Sequence, residues 1–408
     1  MKRAVYFPFI VVLLLTACQK NVENAYTLKF YGDTKTDIGY SVAIGHEGYI
    51  IAGQREIVSR EGGNMTGTTN KQMAVIMTDW SGNIIHNPVI VGGEYDDWGS
   101  KIYQLGDGSL ICVGTLTDTT VAGGGKKQVL AVKMSATGAV QWMKAYGGKG
   151  NQIGKDIVES GFGYIILGST DAENLSGADS TGNKAGNTDL LIIKIDQNGD
   201  TIRSYPRGYS GNDEPAAIRQ DKDGSFVVVG TTDNRIPNSG QAKDNIFIVK
   251  LRSSDGEPVD NNIIGTAADE FASGMAVTDN GYLISLTVKA DAGNSAQLIV
   301  VPRDIHAAPV YGTPFKINNE STTVNAMATY TGGNYLLAGS VSVGTGLRMA
   351  IFEVTPEGNP VNGAVMVNGS TGDQVANDVV SGDDGYIIAV GSNTYQINSM
   401  ISLLKFKF

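Results

Sequence analysis

The chain has 408 residues, and its 41 acidic residues outnumber its 31 basic ones to give a formal net charge of −10. This acidic balance disfavours nucleic acid and anionic lipid headgroups as principal partners. Its 53 glycines lie well above the usual ~7%, and few long stretches lack a Gly, Pro, Asn or Asp breaker. Long helices therefore have little room, and the composition favours an all-β body.

The N-terminus has the pattern of an export signal. Lys2 and Arg3 precede an apolar stretch, Val5 to Leu15, that is too short to span a bilayer as a stable anchor. The segment Leu15-Thr16-Ala17-Cys18 resembles the lipobox of bacterial lipoproteins, whose cysteine is acylated and becomes the mature N-terminus. The resemblance implies a signal peptide over residues 1–17, lipidation of Cys18 and a lipidated tether over residues 18–23. A plain secretory signal is the alternative.

Cleavage before Cys18 has consequences for charge, redox state and location. The loss of Lys2 and Arg3 leaves a net charge of about −12. With Cys18 acylated and Cys112 in an apolar run, no intramolecular disulfide is expected. Gln19 follows the cysteine, and by analogy with lipoprotein sorting this favours a lipid-anchored protein of the bacterial outer membrane, on its periplasmic or cell-surface side.

One short sequence pattern occurs seven times. Each copy has a glycine, an apolar run and usually a second glycine. The copies begin at Gly48, Gly108, Gly163, Gly224, Gly281, Gly333 and Gly385. A spacing of about 52 to 61 residues is typical of a propeller, a solenoid or another repeat array.

Each copy is predicted to form four short antiparallel strands. In the second copy these strands cover residues 101–105, 109–114, 128–134 and 140–146. Tight Asp-Gly and Asn-Gly turns, as at Asp107-Gly108 and Asn198-Gly199, are strong hairpin signals. Four-stranded meanders repeated around an axis form the blades of a β-propeller.

The two ends of the chain complement each other. Residues 26–32 resemble the fourth strand of the second copy, although no earlier strands precede them, and the last copy stops after its third strand. We therefore predict a single domain over residues 24–408, a seven-bladed propeller whose last blade is closed by the N-terminal strand. An open solenoid is the main alternative, but it would need distinct capping ends.

Strand connectivity predicts two different faces. The first-to-second and third-to-fourth turns of every blade share one face, here called the tight-turn face. The second-to-third loops and the blade-to-blade connections share the other, the long-loop face, with predicted excursions over residues 54–70, 116–126, 169–188 and 231–243. Because rigid scaffolds place binding residues on loops, the long-loop face is the predicted interaction surface. The alternative is that these loops are merely solvated.

A polar segment precedes each anchor glycine by ten to twelve residues, on the long-loop face near the central opening. The seven segments are Thr36-Asp37-Ile38, Asp96-Asp97-Trp98, Asn151-Gln152-Ile153, Asn212-Asp213-Glu214, Asp269-Glu270-Phe271, Ser321-Thr322-Thr323 and Asp373-Gln374-Val375. Short polar side chains often cap turns, which favours a repeated structural role over a shared ligand ring. Trp98 and Phe271 are candidate anchors for a sugar or a peptide, with burial between blades as the alternative. The candidate ligand- or partner-binding residues are Asp97, Trp98, Asp213, Glu270 and Phe271.

Signals for catalysis or cofactors are weak. His46, His86 and His306 lie in different repeats without zinc-type spacing, so no catalytic residue, metal site or cofactor is predicted. A pair of rim carboxylates would still suit a glycosidase. Calcium binding at Asp171, Glu173 and Asp179 is a further alternative, although the segment lacks the ordered ligand spacing of an EF-hand. The glycine-rich segment 123–127 lacks the spacing of a phosphate loop.

Two stretches resemble known propeller repeats. The unit from Thr188 to Gly199, with Asn212-Asp213 and Asp223 to Thr232, is similar to the repeat common in secreted proteins and lipoproteins of Bacteroidetes. That resemblance covers essentially the whole mature chain and implies a surface or outer-membrane location, without one shared activity. The stretch from Ala131 to Trp142 resembles the quinoprotein-type repeat, but its Thr-Gly-x-x-x-Trp portion is confined to this copy and does not support quinone binding.

The leading functional hypothesis is a noncatalytic scaffold anchored to the membrane. The predicted lipid anchor, the rigid propeller ring and the lack of a recognisable set of catalytic residues together favour this role. The protein would dock another cell-envelope protein through the long-loop face. Surface glycan binding or cleavage is the alternative, and a purely structural role in envelope organisation is a third.

Overall fold

The computed structural model describes residues 26–32, 35–61, 64–118, 127–148, 150–172, 188–208, 211–233, 244–367, 372–395 and 398–408. The predicted signal peptide, Cys18 and the tether lie outside these residues. So do residues 119–126, 173–187 and 234–243, which make up most of three predicted excursions. Neither of the two short helices in the described segments has the length or apolar character needed to cross a bilayer.

The described residues form seven sheets of four antiparallel strands, arranged as the blades of a β-propeller. Blades one to four contain β2 (Ile38–Ile44), β3 (Tyr49–Glu61), β4 (Asn64–Met77), β5 (Val89–Val91); β6 (Trp98–Gln104), β7 (Leu110–Thr117), β8 (Lys127–Met134), β9 (Val140–Tyr146); β10 (Gln152–Ser160), β11 (Gly163–Thr170), β12 (Asp189–Ile195), β13 (Thr201–Arg207); and β14 (Asp213–Gln220), β15 (Phe226–Thr232), β16 (Asn245–Leu251), β17 (Pro258–Ile264).

Blades five to seven complete the ring. They contain β18 (Asp269–Val277), β19 (Gly281–Lys289), β20 (Ser295–Pro302), β21 (Val310–Tyr311); β22 (Thr322–Thr329), β23 (Tyr335–Val343), β24 (Gly346–Val354), β25 (Val365–Met366); and β26 (Gln374–Ser381), β27 (Ile387–Tyr395), β28 (Asn398–Phe406) with β1 (Thr27–Tyr31). Two 3₁₀ helices, Ile317–Asn319 and Thr331–Gly333, flank β22. The predicted seven-bladed, all-β fold is confirmed.

The N-terminal strand closes the ring as predicted. β1 is the outer strand of blade seven and pairs antiparallel with β28, from Thr27 opposite Lys405 to Tyr31 opposite Ile401. Joining the two ends of the chain in one sheet covers the edge that β28 would otherwise leave unpaired.

Hydrophobic clusters between adjacent blades hold the ring together. Every residue of β11 and β12 is buried, which agrees with their nearly continuous apolar sequences. Between blades two and three, for example, Val129 and Ala131 pack with Ile166 and Leu191. Each fully buried aliphatic side chain of this kind contributes roughly 1.5–3 kcal/mol.

Every innermost strand contains a β-bulge near its start. The register shifts lie between Gly39 and Ser41, Gly99 and Lys101, Gly154 and Asp156, Pro215 and Ala217, Ala272 and Gly274, Val324 and Ala326, and Ala376 and Asp378. A bulge re-aims the residues that follow it. Lys101, Asp378 and the segments that follow Asp156 and Ala217 line a central cavity of about 660 Å³.

Two buried carboxylates connect the inner strands of neighbouring blades. Asp378 Oδ2 accepts hydrogen bonds from Ser41 Oγ (2.7 Å) and the Val42 N–H (3.1 Å) of blade one, and from Lys101 Nζ (2.7 Å) of blade two. Asp156 occupies the corresponding position in blade three and accepts from Tyr103 of blade two and Arg219 of blade four. Each of these two buried carboxylates thus receives these hydrogen bonds from other blades of the ring.

The excursion predicted as a loop over residues 54–70 is instead a long hairpin. β3 and β4 extend over 13 and 14 residues and remain paired as far as Glu61 opposite Asn64, with one register shift between Val58 and Arg60. Blade one therefore projects a β-arm on the long-loop face.

Candidate binding face

The repeated polar segments form a reciprocal clamp between adjacent blades. Thr188, just before the third strand of blade three, donates its N–H to Asn212 Oδ1 (3.1 Å) and accepts the N–H of Asp213 at its carbonyl (2.6 Å). The first polar residue thus bonds through its side chain and the second through its backbone. The same two bonds join Asp96 and Asp97 to Lys71, Asp269 and Glu270 to Asp244, and Ser321 and Thr322 to Asn294.

This clamp gives the polar segments a structural role in the blade-to-blade connection. The second residue of each segment is buried, as Asp97 (0% exposed) and Asp213 (1%) illustrate. Glu270 is also fully buried, and its carboxylate accepts the N–H and the hydroxyl of Thr266. Three of the five predicted contact residues are therefore buried, and Asp213 also lines a cavity of about 270 Å³ together with Arg207 and Phe247.

Burial of the Asp97 carboxylate carries an electrostatic cost. Its Oδ1 accepts the Thr117 N–H and its Oδ2 the Gly93 N–H, both at 2.6 Å. Burial raises the pKa of Asp97 to about 6, although the two backbone hydrogen bonds counteract this increase. The folded protein consequently binds this proton more tightly than the unfolded chain does.

A pH prediction follows from that raised pKa. The stability that protonated Asp97 contributes is complete below the unfolded pKa near 4 and is lost as the pH rises through about 6. Relative to an Asp97→Asn variant, we expect the free energy of unfolding of the natural chain to fall by roughly 2–3 kcal/mol between pH 4 and pH 6.5. Urea denaturation of both proteins at several pH values measures this, and a constant difference across the range would contradict it.

The two predicted aromatic residues, Trp98 and Phe271, are partly exposed, unlike the three carboxylates. Each ring lies beside a lysine: Lys127 Nζ is 5.3 Å from the centroid of the Trp98 ring, and Lys289 Nζ is 4.0 Å from that of Phe271. Such cation–π contacts hold the rings in place. Trp98 is the first residue of β6 and Phe271 the third residue of β18, so both lie at the long-loop end of the inner strands.

Phe271 lines a cavity of about 640 Å³ at the long-loop end of the inner strands. The cavity spans blades three to six and has both apolar and polar walls. Its other lining residues include Lys155, Glu214, Lys289, Asn294 and Asn325. A cavity of this size is within the range of small-ligand and side-chain pockets.

The cavity contains charges of both signs. Lys155 pairs with Glu214 across blades three and four, and Lys289 covers one face of Phe271. Asn294 Nδ2 donates to Thr323 Oγ1 (3.1 Å), and Asn325 Nδ2 donates to the Ala376 carbonyl (2.8 Å). Amides, an ion pair and one aromatic ring thus surround a common space that can accept both polar and apolar groups.

Lys289, Lys155 and Glu214 were not among the predicted contact residues. Lys289 reaches Phe271 because Asp269 of β18 lies opposite Lys289 of β19. The bulge after Ala272 shifts the pairing of these two strands by one residue. No pattern in the sequence marks that bulge. Phe271 was the one residue of this group that the sequence marked as a candidate contact residue.

The described residues contain no group of three His, Cys, Asp or Glu side chains arranged to hold a metal ion. His86 and His306 each lie near one carboxylate, that of Glu47 at 3.4 Å and that of Asp260 at 2.9 Å. Asp171, from the alternative calcium segment, accepts hydrogen bonds from Asn151, while Glu173 and Asp179 lie outside the described residues. Burial raises the pKa of the Cys112 thiol to about 12, which makes it a poor nucleophile.

Comparisons with known proteins identify the fold only. No family model and no curated protein sequence matches the chain. Among solved structures, an ulvan lyase of polysaccharide lyase family PL25 is similar at a TM-score of 0.51, with 10% identity and 80% of both chains covered. An acylaminoacyl peptidase complexed with Z-Gly-Gly-Phe-chloromethyl ketone has a TM-score of 0.50 and 9% identity over 91% of this chain, and the chain spans about half (51%) of that enzyme.

A third structure, Sqt1 from Chaetomium thermophilum bound to the N-terminus of ribosomal protein L10, is similar at a TM-score of 0.47 with 12% identity. The match covers 93% of this chain and 98% of that one. The lyase and the peptidase, at 9–10% identity, support the fold alone and leave the activity to be argued from the site.

Proposed function

We propose that the chain is a membrane-anchored, noncatalytic scaffold that docks another cell-envelope protein through its long-loop face. The observation that carries this proposal is the 640 Å³ cavity at that face, with Phe271 in its wall beside Lys289. Aromatic residues in well-packed pockets provide much of the energy of many protein interfaces. The rigid ring holds these groups in position before a partner binds, which lowers the entropic cost of binding.

The cavity suits an extended polypeptide segment with an apolar side chain. Phe271 offers an apolar surface, and Asn294 together with the Lys155–Glu214 pair offers hydrogen-bonding groups for a peptide backbone. The β-arm of blade one projects from the same face. The face therefore combines one concave anchor site with a protruding element that can contact a larger partner.

The membrane anchor is proposed from the sequence. The lipobox-like segment ending at Cys18 supports acylation, and Gln19 supports location in the outer membrane. The repeat resemblance supports a place among Bacteroidetes-type propeller-repeat lipoproteins.

Capture of a partner from native membranes tests the docking surface. The full-length protein is purified after gentle solubilisation and in-cell cross-linking, together with a Phe271→Ala variant. We expect this variant to recover at least about tenfold less of the copurifying partner, a loss corresponding to about 1.4 kcal/mol. Truncating an aromatic ring at the cavity wall removes a large apolar contact, whereas the ring of blades stays intact.

Tyr395→Ala is the matched control for that experiment. Tyr395 is 56% exposed at the end of β27, on the same face but outside the cavity. We expect this variant to retain the partner. Equal recovery with Phe271→Ala and the natural chain, at unchanged melting temperature, would place docking elsewhere.

Surface glycan binding or cleavage is the second candidate. Its support is the same aromatic ring with neighbouring amide and carboxylate groups, an arrangement that can stack on a sugar and bond its hydroxyls. Soluble protein is screened against polysaccharides for retention and for new reducing ends. Retention lost in Phe271→Ala would favour glycan binding at this cavity, and new reducing ends would indicate cleavage.

A further inference from the structure

The first described residues leave the ring at its tight-turn face. β28 begins at Asn398, beside the long-loop hairpin of blade seven, and ends at Phe406. β1 runs antiparallel to it, so Thr27 pairs with Lys405 near the tight-turn end. The chain that precedes Tyr26 therefore starts from the tight-turn rim of blade seven.

An exposed apolar turn lies beside this point. Trp80, Ile84 and Ile85, in and after the turn that follows β4, are 46%, 48% and 38% exposed. Tyr31 donates its hydroxyl hydrogen to the Gly82 carbonyl (2.8 Å), and Lys29 Nζ donates to Asn83 Oδ1 (3.1 Å). These bonds fix the apolar turn against β1.

The tryptophan distinguishes this turn from three of its counterparts, although exposed aliphatic residues such as Val140 and Ile202 also follow the corresponding turns of other blades. The corresponding turns of blades two, three and six carry Ala136, Gln197 and Pro356 in place of Trp80. The indole is held by an edge-to-face contact with Tyr49, at 5.6 Å between ring centroids. Trp142 is a second tryptophan at the tight-turn face, where its Nε1 donates to the Gln197 carbonyl (3.2 Å) of the blade-three turn, but of these four turns the one beside the N-terminal strand alone has a tryptophan at the Trp80 position.

Lysines surround the same turn. Lys405 Nζ donates to the Trp80 carbonyl (2.7 Å) and lies 4.2 Å from the centroid of the Tyr386 ring. Lys407 lies at the same distance from that ring and donates to the Asp384 carbonyl. Tryptophan, tyrosine and lysine with exposed aliphatic residues are typical of a membrane–water interface.

We propose that this rim patch, formed by Trp80, Ile84, Ile85, Lys405 and Lys407, rests on the surface of the phospholipid bilayer to which the chain is tethered. The inference depends on the proposed lipidation of Cys18 and deepens it by assigning an orientation. The tight-turn face then faces the membrane, and the long-loop face with its cavity points away from it.

Chain length supports this orientation. Tyr26 lies eight residues after Cys18, and at up to ~3.6 Å per residue this stretch reaches at most about 29 Å. From its first residue to its last, β28 (Asn398–Phe406) spans about 26 Å between the two faces at ~3.3 Å per residue. The rim patch lies within easy reach of an acylated cysteine, whereas bringing the long-loop face to the bilayer would require a nearly fully stretched tether.

The three tryptophans of the chain provide the test. Trp80 lies in the patch, Trp98 begins an inner strand at the long-loop face, and Trp142 is in β9. Two lipidated full-length double variants are reconstituted into phosphatidylcholine vesicles with or without brominated acyl chains. Trp98→Phe/Trp142→Phe keeps Trp80 as its single tryptophan, and Trp80→Phe/Trp142→Phe keeps Trp98. We expect bromine to quench at least about a third of the Trp80 emission, because interfacial side chains sit ~5–10 Å into the headgroup boundary, and to leave Trp98 emission unchanged.

The outcomes separate this inference from the anchor on which it rests. Protein that floats with the vesicles without quenching of Trp80, or with quenching of Trp98 instead, overturns the orientation alone. Protein that does not float overturns the lipid anchor and the orientation together. Should a tryptophan variant not fold, an environment-sensitive label on Ile84→Cys, with Tyr395→Cys as control, gives the same comparison, since Cys112 is buried.

Discussion

Deleting residues 26–32 should strongly destabilise the propeller or cause it to aggregate. β1 supplies the fourth strand of blade seven, and its five residues all pair with β28. Tyr31 is buried, while Tyr26 and Leu28 pack against the cluster that contains Leu404 and Phe406. The deletion leaves β28 as an unpaired edge and uncovers that cluster, so we expect aggregation or a melting temperature at least about 10 °C lower.

Two truncations separate loss of the strand from loss of the N-terminal segment. A chain starting at Tyr26 keeps β1, and a chain starting at residue 33 lacks it. Both are produced without the export signal and compared by thermal melting and size-exclusion chromatography. The longer chain should fold with a single sharp transition. If the shorter chain melts in the same way, closure by β1 does not stabilise the ring.

The architecture could be predicted because its signals are local. Asp107-Gly108, Asp223-Gly224 and Asp384-Gly385 place a glycine with φ near +80° in each tight turn, a conformation that favours glycine over residues with a Cβ. These turns fix where each hairpin reverses, and the apolar runs that follow fix the buried strands. The predicted fourth strand of blade two, 140–146, has the bounds of β9.

The inner strands were harder to predict because a bulge interrupts each of them. β6 begins at Trp98, three residues before the predicted start at Lys101, since the bulge between Gly99 and Lys101 breaks the period-two pattern on which strand prediction relies. The β-arm over residues 54–70 was missed for a related reason. Residues 54–70 show no alternation of apolar and polar residues that would mark two paired strands.

The candidate site could be predicted in position but only partly in composition. Asp97, Asp213 and Glu270 were candidates because polar residues recur at equivalent places, and the structure shows why they recur: they clamp adjacent blades. Phe271 lines the cavity, but its partner Lys289 is 18 residues away on the next strand. Pairs of this kind depend on tertiary register, which a single sequence does not reveal.

Removing the carboxylate of Asp378 should cause a large loss of stability. Asp378 is the shared acceptor for Ser41, Val42 and Lys101, so it connects blades seven, one and two. Burial alone would lower the pKa of Lys101, yet the charge of Asp378 raises that pKa above its ordinary value. The ammonium group therefore remains charged at neutral pH and loses its ion-pair partner in Asp378→Ala.

We expect Asp378→Ala to lower the free energy of unfolding by about 3–5 kcal/mol, the usual cost of breaking a buried ion pair. Lys101→Met in the same chain removes the unpaired charge and should recover about 1–2 kcal/mol of that loss. Asp279→Ala is the control, since Asp279 pairs with Lys222 at the surface and its loss should leave the urea midpoint unchanged. Additive effects of Asp378→Ala and Lys101→Met in urea denaturation would show that the two side chains contribute independently, and would contradict loss of the ion pair as the cause of the destabilisation.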